Sequence, residues 1–149
     1  MSTSTSESTR ASLPRAVIVD IDGTIALRSG RDPFEWKLAG QDLPNKPVVS
    51  VLRALVASGL SVIYVSGRPE SARQITEDWL SAQIQISGEL HLRPNEDFRR
   101  DSIVKREIFE NLLQDKFDVA LVLDDRNQVV QMWRHELGLT CLQVADGDF

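Results

Sequence analysis

Two close pairs of aspartates in the 149-residue chain stand at the ends of long apolar runs. Asp20 and Asp22 belong to the first run, and Asp124 and Asp125 end a later one. Residues two apart share one face of a strand, so a turn at Gly23 would bring Asp20 and Asp22 to one edge. Crowded carboxylates raise one another's pKa unless a cation neutralises them. Carboxylate oxygens suit a hard divalent cation, and we expect Mg²⁺.

Cationic and hydroxyl side chains stand between the two acidic pairs. Ser66, Arg68 and Lys105 offer a hydroxyl, a guanidinium fork and an ammonium charge, which together suit a phosphate oxyanion. Aspartates also begin turns and cap helices, but that role explains two acidic pairs at two strand ends poorly. Asp101 and Lys105 lie four residues apart, so taken alone they favour an ordinary helix surface pair. Together with the other loops, the lysine is better explained as a phosphate clamp.

The elements that must position these residues alternate along the chain. Short apolar runs predict strands, and apolar residues at helical spacing predict helices. The predicted strands are 16–21, 60–65, 89–92, 119–123 and 140–144; the predicted helices are 48–57, 69–80 with Pro69 in its first turn, 101–113 with Ile103, Val104, Ile108 and Leu112 facing inward, and 128–137. This order indicates an α/β fold with a mostly parallel central sheet. In such sheets ligands bind at the carboxyl ends of the strands, where the polar loops converge.

Composition limits the class of protein. The chain has 42% hydrophobic residues, 17 basic against 22 acidic residues (net charge −5) and one cysteine. This acidic balance argues against a protein that coats nucleic acid through a broad positive surface. No apolar run approaches the roughly 20 residues of a membrane-spanning helix, and neither a secretory signal nor a disulfide framework is evident, so we expect a cytoplasmic protein. Eight of the first twelve residues are Ser or Thr, which predicts a disordered tail over 1–14 and one domain over 15–149.

The sequence Asp-Ile-Asp-Gly-Thr at 20–24 resembles the DxDGT motif of the haloacid dehalogenase superfamily of phosphohydrolases. Ser66, Lys105 and the pair 124–125 follow in the order of its remaining motifs. The similarity is closest to the 3′-phosphatase module of bacteriophage polynucleotide kinase/phosphatase, and it also includes segments 31–34, 66–68, 101–109, 124–130, 132–134 and 143–149. It implies a Rossmann-like haloacid dehalogenase fold without a large cap domain. The Gly-x-x-x-x-Gly-Lys-Ser/Thr loop of a kinase is missing, so we expect the phosphatase half alone.

The resemblance also implies residue roles. Asp20 would attack phosphorus to form an aspartyl-phosphate, and Asp22 would protonate the leaving oxygen and later accept a proton from water. Asp20, Asp22, Asp124 and Asp125 would hold or lie beside Mg²⁺, and Ser66 and Lys105 would hold the phosphoryl oxygens. The expected substrate-binding residues are Thr24, Arg31, Ser66, Gly67, Arg68, Asp101 and Lys105. Among them, we expect Arg68 and Asp101 to support the phosphate site and Arg31 to reach the substrate.

The resemblance implies a 3′-phosphorylated DNA or RNA end as substrate, in nucleic-acid end repair, with a separate kinase or ligase as possible partner. The intervals between motifs leave no room for a large cap, and an open site suits a polymer end. A basic stretch (Arg93, Arg99, Arg100, Lys105, Arg106) could guide a phosphate backbone or be a solvated charged face. Phe34 and Trp36 could stack on a base, although packing is the simpler interpretation. Met132 and Trp133 are expected in the core, and Cys141 is expected to be structural.

Three alternatives remain open at this point. The same chemistry could act on free nucleotides, such as 3′-nucleotides, or on other small phosphate esters. A phospho-receiver signalling domain also combines clustered acids, Mg²⁺ and a lysine, but the second acid two residues after Asp20 favours turnover over stable phosphorylation. A binding-only relative is disfavoured because no expected catalytic position is missing.

Overall fold

The computed structural model describes residues 12–149, so most of the predicted tail over 1–14 lies outside the described residues. The strands are β1 (Arg15–Val19), β2 (Ala26–Leu27), β3 (Leu43–Pro44), β4 (Ser61–Pro69), β5 (Glu89–Arg93), β6 (Asp118–Asp124) and β7 (Cys141–Gln143). The α-helices are α1 (Lys46–Ala57), α2 (Arg73–Trp79), α3 (Asp101–Ile108) and α4 (Asn127–Gln131). Wider π-helical turns extend α2 over Leu80–Ile84, α3 over Phe109–Leu113 and α4 over Met132–Glu136.

The central sheet has five parallel strands in the order β5-β4-β1-β6-β7. Strand β1 lies in the middle, where both of its faces are covered, which explains why residues 16–19 are all apolar and almost fully buried. Because all five strands run the same way, their carboxyl ends meet at one edge. The prediction of a mostly parallel, Rossmann-like sheet flanked by helices is confirmed.

Two apolar layers pack on the two faces of the sheet. Leu52 of α1 and Trp79 of α2 belong to the layer on one face, and Val104 of α3 and Trp133 belong to the layer on the other. Trp133 and Met132 are fully buried, as expected, and Cys141 is 3% exposed. These layers fix the helices against the sheet and so fix the loops at its carboxyl edge.

Helix α1 begins beside the first acidic loop. Pro47 in the first turn has a backbone geometry that suits a helix start, and Gly59, at φ +103°, follows the helix end. The Asn45 side chain donates a hydrogen bond to the Thr24 carbonyl at 2.9 Å. The start of α1 is thereby tied to the loop that carries Asp20 and Asp22.

The structure corrects two local predictions. Pro69 ends strand β4 rather than beginning a helix; its backbone is extended, and α2 starts only at Arg73, after a 3-10 turn over Glu70–Ala72. Ile103 and Leu112 were expected to face inward but are each 44% exposed. Helix α3 instead turns Lys105 inward together with Val104 and Ile108, because the lysine is neutralised at the sheet edge.

Residues 20–45 contain only the short antiparallel β2–β3 pair and a 3-10 helix over Trp36–Gln41. These two-residue strands are too short to show the alternation of apolar and polar residues that predicts a strand.

No large cap domain is present in residues 12–149, as expected. Within the same residues, none of the helices combines the length and apolar character needed to cross a membrane.

Candidate active site

An open cleft of about 990 Å³ lies over the carboxyl edge of the sheet. Its lining includes candidate residues from four segments of the chain: Asp20, Asp22 and Gly23 after β1; Gly67, Arg68 and Pro69 at the end of β4; Asp101 and Lys105 of α3; and Asp124 and Asp125 at the end of β6. The structure therefore brings together side chains that lie up to 105 positions apart in the chain.

The floor of the cleft is a buried aspartate–lysine cluster of Asp20, Lys105, Asp124 and Asp125. The Lys105 ammonium donates to Asp20 Oδ1 at 2.8 Å and to Asp124 Oδ2 at 3.0 Å. Thr24 Oγ1 donates to Asp20 Oδ2 at 2.9 Å and lies 3.3 Å from Asp125 Oδ1. Each of the four charged residues is at most 6% exposed. Both oxygens of Asp20 are therefore held in place by donors.

Backbone geometry places this cluster. Gly23, at φ +82°, makes the turn after β1, and a Cβ there would lie 2.2 Å from Asp125 Oδ2. The position therefore demands glycine for its conformation and for the close approach of the carboxylate. On the next strand, Asp124 Oδ1 accepts from the Asp125 backbone N–H at 2.8 Å, and Asp124 Oδ2 accepts from Trp133 Nε1 at 3.1 Å.

The cluster has an excess of negative charge. Burial and the neighbouring Asp124 carboxylate raise the pKa of Asp20 well above its usual range, although Lys105 acts against them. Burial also raises the pKa of Asp125. Burial opposes the Lys105 ammonium, but the Asp124 and Asp20 carboxylates outweigh it, so the pKa of Lys105 lies above its ordinary value. One ammonium does not neutralise three carboxylates, which leaves the site short of positive charge.

The donors fit a hard divalent cation. Asp20, Asp124 and Asp125 each offer a carboxylate oxygen, and these atoms all lie within 4.8 Å of one another. All three are oxygen donors on buried side chains, the ligand type that Mg²⁺ prefers. The charge deficit and the donor type agree with the predicted ligand set, except that the Asp22 side chain points elsewhere.

Asp22 belongs instead to a second group, an arginine–aspartate network of Asp22, Asp42, Arg31 and Arg68. Arg68 donates to both oxygens of Asp22 at 2.9 and 2.8 Å, and Arg31 donates to Asp22 Oδ1 at 3.0 Å. Asp42 accepts two bonds from Arg31, both at 2.8 Å, and one from Arg68 at 3.1 Å. The hydrogen bond with Asp42 raises the pKa of Arg31. The two arginines thus fix the Asp22 carboxyl at the edge of the cleft.

The structure places Arg31 differently from expectation. Its side chain is 2% exposed and is not part of the cleft lining, so it does not reach toward a substrate. Its guanidinium lies 5.3 Å from the ring centre of Trp36, and that of Arg68 lies 5.4 Å from the same ring. Arg31 is therefore a buried residue that positions the Asp22 carboxylate through a hydrogen bond.

A third group surrounds Asp101 at the start of α3. Asp101 accepts hydrogen bonds from Arg93 and, at 2.8 Å, from Arg126. Arg93 also donates to the Gly67 carbonyl at 2.9 Å. A Cβ at Gly67 would lie 2.7 Å from Asp101 Oδ1, so the glycine lets α3 approach the end of β4. Asp101 is thus linked through Arg93 to the end of β4 at Gly67.

The remaining predicted residues lie close to these groups. Ser66 is 1% exposed and, unlike Gly67 and Arg68, is not part of the cleft lining; its Oγ accepts from the Arg68 backbone N–H at 3.1 Å. Within the basic stretch, Arg99 pairs with Asp97 and Glu107, and Arg106 pairs with Glu110 and Glu136. Arg93 and the buried Lys105 are also paired with carboxylates, so four of the five residues of the stretch are neutralised and the interpretation as a phosphate guide is not favoured.

Sequence reasoning missed Asp42 as a site residue. Asp42 is 3% exposed, and its carboxylate accepts hydrogen bonds from both Arg31 and Arg68. Trp79 donates to its backbone carbonyl at 2.7 Å. It stands between a 3-10 helix and a two-residue strand, where neither periodicity nor a turn motif marks it. Arg93 was considered only as part of a basic stretch, and its contact with Asp101 has no sequence signal.

Comparisons with known proteins agree with this geometry. Residues 14–149 match the family model described as the polynucleotide kinase PNKP phosphatase domain. A protein of Autographa californica nuclear polyhedrosis virus, described as a putative bifunctional polynucleotide kinase/RNA ligase, is 33% identical over 124 residues. That match covers 81% of this chain but 18% of the viral protein.

Solved structures give the same result. A chain in the Pnkp1/Rnl/Hen1 RNA repair complex superposes with a TM-score of 0.88 at 49% identity, over 93% of this chain and 44% of that one. A class C acid phosphatase from Bacillus anthracis superposes at 0.62 with 14% identity, over 97% and 71%; this likeness shows the fold alone. The chain spans less than half the length of the first two relatives. It belongs to the family of polynucleotide kinase (PNKP) phosphatase domains.

Proposed function

We propose that residues 15–149 form a Mg²⁺-dependent polynucleotide 3′-phosphatase that removes the terminal 3′-phosphate from nucleic acid during end repair. The observation that carries this proposal is the placement of Asp20. Its carboxylate lies on the floor of an open cleft, with one oxygen held by Lys105 at 2.8 Å and the other by Thr24 at 2.9 Å. A fixed carboxylate beside a cation is suited to in-line attack on phosphorus.

The reaction has two steps. An Asp20 carboxylate oxygen forms a bond to phosphorus while the bond from phosphorus to the 3′ oxygen breaks, and Asp22 supplies the proton that the leaving 3′ oxygen takes. Asp22 then accepts a proton from water, whose oxygen attacks the aspartyl-phosphate and releases inorganic phosphate and free Asp20. Arg68 and Arg31 fix the orientation of the Asp22 carboxylate. To act as the acid, Asp22 takes up a proton from solvent before the first step, and its side chain is one-third exposed in the cleft.

Cationic and hydroxyl groups hold the transferring phosphoryl oxygens. We assign this role to Lys105 and Ser66, with Gly67 and Arg68 at the same strand end. Lys105 lies in the floor beside Asp20. There its ammonium stabilises negative charge on the Asp20 carboxylate before the attack and on the phosphoryl oxygens during the transfer. Asp101 and its arginine partners hold the strand end in place.

Asp20, Asp124 and Asp125 would hold Mg²⁺, with Asp22 contributing through its backbone carbonyl. When bound, Mg²⁺ supplies the positive charge that the buried carboxylates lack and offsets charge on the phosphoryl oxygens. The Thr24 hydroxyl lies between Asp20 and Asp125 and contacts both carboxylates, so it keeps the Asp20 carboxylate oriented for attack.

The relatives support a role in repair. One lies in an RNA repair complex, and another is described as a kinase/RNA ligase. Kinase and ligase reactions require ends with defined phosphorylation, and a 3′-phosphatase prepares the 3′ end for them. We therefore propose that a kinase or ligase, in a separate chain or linked to this one, acts on the same ends.

A phosphate-release panel tests this function. Wild-type protein is given a 3′-phosphorylated oligonucleotide, its 5′-phosphorylated isomer and 3′-mononucleotides, each in DNA and RNA form, with Mg²⁺ or with EDTA. We expect Mg²⁺-dependent release from the 3′-phosphorylated strands and none from Asp20→Asn. Preference for the 5′ isomer contradicts the proposal, and equal or faster turnover of mononucleotides favours the small-ester alternative.

A further inference from the structure

Trp133 is a fully buried residue whose one polar group faces the aspartate–lysine cluster. It belongs to the apolar layer that also contains Val104. Its indole N–H donates to Asp124 Oδ2 at 3.1 Å. The sequence predicted a core residue here, and packing explains the apolar part of the ring. Packing does not explain the polar edge, since a purely apolar ring would fill the core without bringing an N–H to a buried carboxylate.

The segment 124–133 carries both this carboxylate and the group that holds it. Strand β6 ends at Asp124, α4 follows, and a π-helical turn over Met132–Glu136 continues the helix. This path brings Trp133, nine positions further along the chain, back to the carboxylate. The indole also packs edge-to-face on Phe109, with ring centres 6.2 Å apart. The position of the N–H is therefore set by the core and does not depend on a ligand.

Asp124 accepts hydrogen bonds on both of its carboxylate oxygens. Oδ1 accepts from the Asp125 backbone N–H at 2.8 Å, and Oδ2 accepts from the Lys105 ammonium at 3.0 Å and from Trp133. The backbone N–H and the indole N–H are neutral donors, whereas Lys105 is a charged donor shared with Asp20. When a phosphoryl group draws the ammonium toward itself, the two neutral donors remain. They keep Asp124 oriented throughout the reaction.

A neutral donor orients a carboxylate without cancelling its charge. Asp22 shows the opposite arrangement, because the Arg31 and Arg68 guanidinium groups that orient it also neutralise it. Asp124 is 1% exposed, so water contributes little to its orientation. The Trp133 N–H fixes this carboxylate and leaves its negative charge available to a cation. Hydrogen-bond partners of metal ligands set both the orientation of the ligand and the affinity for the metal.

We propose that Trp133 is a positioning residue for the metal site. Its indole N–H holds the Asp124 carboxylate in the orientation in which that group binds Mg²⁺ together with Asp20 and Asp125. This inference rests on the proposed function, from which it takes the metal. Trp133 is not among the residues that line the cleft, so it acts through Asp124 and not through the substrate. Its loss should therefore weaken the binding of Mg²⁺.

Calorimetric titration with Mg²⁺, in the absence of substrate, compares wild type with Trp133→Phe. This variant keeps an aromatic ring in the core and lacks the indole N–H, and we expect its Kd for Mg²⁺ to rise about ten- to a hundredfold. Trp79→Phe is the matched control, because Trp79 is also buried and donates its indole N–H to the Asp42 backbone carbonyl at 2.7 Å. Both variants should have a lower melting temperature, but Trp79→Phe should keep the wild-type Kd.

A second replacement separates the hydrogen bond from the shape of the ring. Benzothienylalanine, placed at position 133 by amber suppression, has the outline of tryptophan but carries a ring sulfur in place of the N–H. It should keep a melting temperature closer to that of wild type than Trp133→Phe does, and it should raise the Kd for Mg²⁺ by a similar factor. If Trp133→Phe does not fold, this replacement decides the question.

The indole N–H resonances give a readout that does not depend on turnover. Selective ¹⁵N labelling of the three tryptophans gives one side-chain signal for each, and single Phe variants assign them. We expect the Trp133 signal to shift when Mg²⁺ is added to wild type and to shift much less in Asp125→Asn. The Trp79 signal should stay nearly unchanged in both proteins.

The outcomes separate this inference from the proposed function. An equal Kd for Mg²⁺ in wild type and in the variants at position 133, or a Trp133 signal that ignores saturating Mg²⁺, overturns the positioning role and leaves the metal site intact. Equal Mg²⁺ binding by wild type and Asp125→Asn, or no binding by wild type, overturns the metal site of the proposed function and this inference with it.

Phosphate release adds one more check. Raising Mg²⁺ well above the Kd of Trp133→Phe should restore most of its lost activity, because the deficit lies in metal binding. A deficit that is the same at every Mg²⁺ concentration indicates a general structural defect and overturns the inference.

Discussion

The aspartate–lysine cluster and the arginine–aspartate network lie side by side in one cleft, yet their charges are balanced differently. The network sets two guanidinium groups against Asp22 and Asp42, so its charges cancel. The cluster sets one ammonium against three carboxylates, and burial raises the pKa of Asp20 as a result. The arginine–aspartate network is therefore electrically neutral without a ligand, whereas the aspartate–lysine cluster lacks positive charge that a bound cation would supply.

The difference in charge balance suggests different roles for the two groups: the network positions Asp22, and the cluster takes part in the reaction. A closed network with every charge paired is stiff and orients Asp22, whereas a cluster that lacks positive charge can bind a metal and respond to an arriving phosphate. We expect changes in the cluster to alter metal response and turnover, and changes in the network to alter stability and the placement of Asp22.

The largest effect is expected for Asp20→Asn. Loss of the carboxylate nucleophile should reduce phosphate release by at least about a thousandfold, because asparagine does not form the aspartyl-phosphate. The fold should be retained, since one crowded carboxylate is removed. A steady-state phosphate assay measures the loss, and a circular dichroism spectrum like that of wild type is the control. Activity within tenfold of wild type would refute the role of Asp20.

Asp42→Asn should act mainly on stability. It leaves Arg31 buried with fewer acceptors, and breaking a buried ion pair costs about 3–5 kcal/mol. Urea unfolding gives the change in unfolding free energy. Glu77→Gln, which removes an exposed partner of Arg73, is the matched control and should cost at most about 1 kcal/mol. Similar costs for the two variants would show that the network is not a stabilising unit.

Mg²⁺ should stabilise the folded protein through the cluster alone. At a concentration a hundredfold above its Kd the gain is about 2.7 kcal/mol, read as a rise in melting temperature. Asp125→Asn should reduce this rise strongly, whereas Asp42→Asn should keep it despite a lower starting stability. An equal Mg²⁺ response in wild type and Asp125→Asn would place the metal elsewhere.

Two glycines in the left-handed region offer a smaller, matched comparison. Gly23 and Gly30 have similar backbone angles, φ +82° and +79°, so alanine at either position costs about 1–2 kcal/mol of strain. A Cβ at Gly23 also meets Asp125, whereas nothing lies within 4 Å at Gly30. Gly23→Ala should therefore weaken Mg²⁺ binding and turnover, and Gly30→Ala should change melting temperature only. Isothermal titration with Mg²⁺ distinguishes the two.

The smallest effect concerns Cys141. Burial, with the Asp124 carboxylate adding to it, raises the pKa of this thiol to about 12 from its ordinary 9.0. Between these values the unfolded chain binds fewer protons than the folded one, so unfolding free energy falls as pH rises. Wild type should lose stability above pH 9 faster than Cys141→Ala, and bound Mg²⁺ should lessen the difference. Parallel pH slopes for the two proteins would contradict the prediction.

The sequence predicted the sheet edge more accurately than the contacts behind it. Strand β1, with four buried apolar residues in a row, and the DxDGT turn carry strong local signals, so the loops of the floor could be placed in advance. The role of Asp42 and the burial of Arg31 depend on contacts of residues 28–45 with Arg68 and Trp79, which are distant in the sequence, and no local pattern encodes those contacts. Pro69 was assigned to a helix because proline also suits helix starts, but pairing of Pro69 with Arg93 of β5 keeps it in the strand.

The dispersal of the site along the chain has a consequence for how the protein acquires activity. Thr24 and Asp125 are 101 positions apart, and Asp20 and Lys105 are 85 apart. Both contacts require β1 to be inserted between β4 and β6, a pairing of distant segments whose loop-closure entropy makes it slow. Catalytic competence therefore arises only when the centre of the sheet closes. During refolding, the recovery of turnover should lag behind helix formation, because turnover requires β1 to be paired with both β4 and β6.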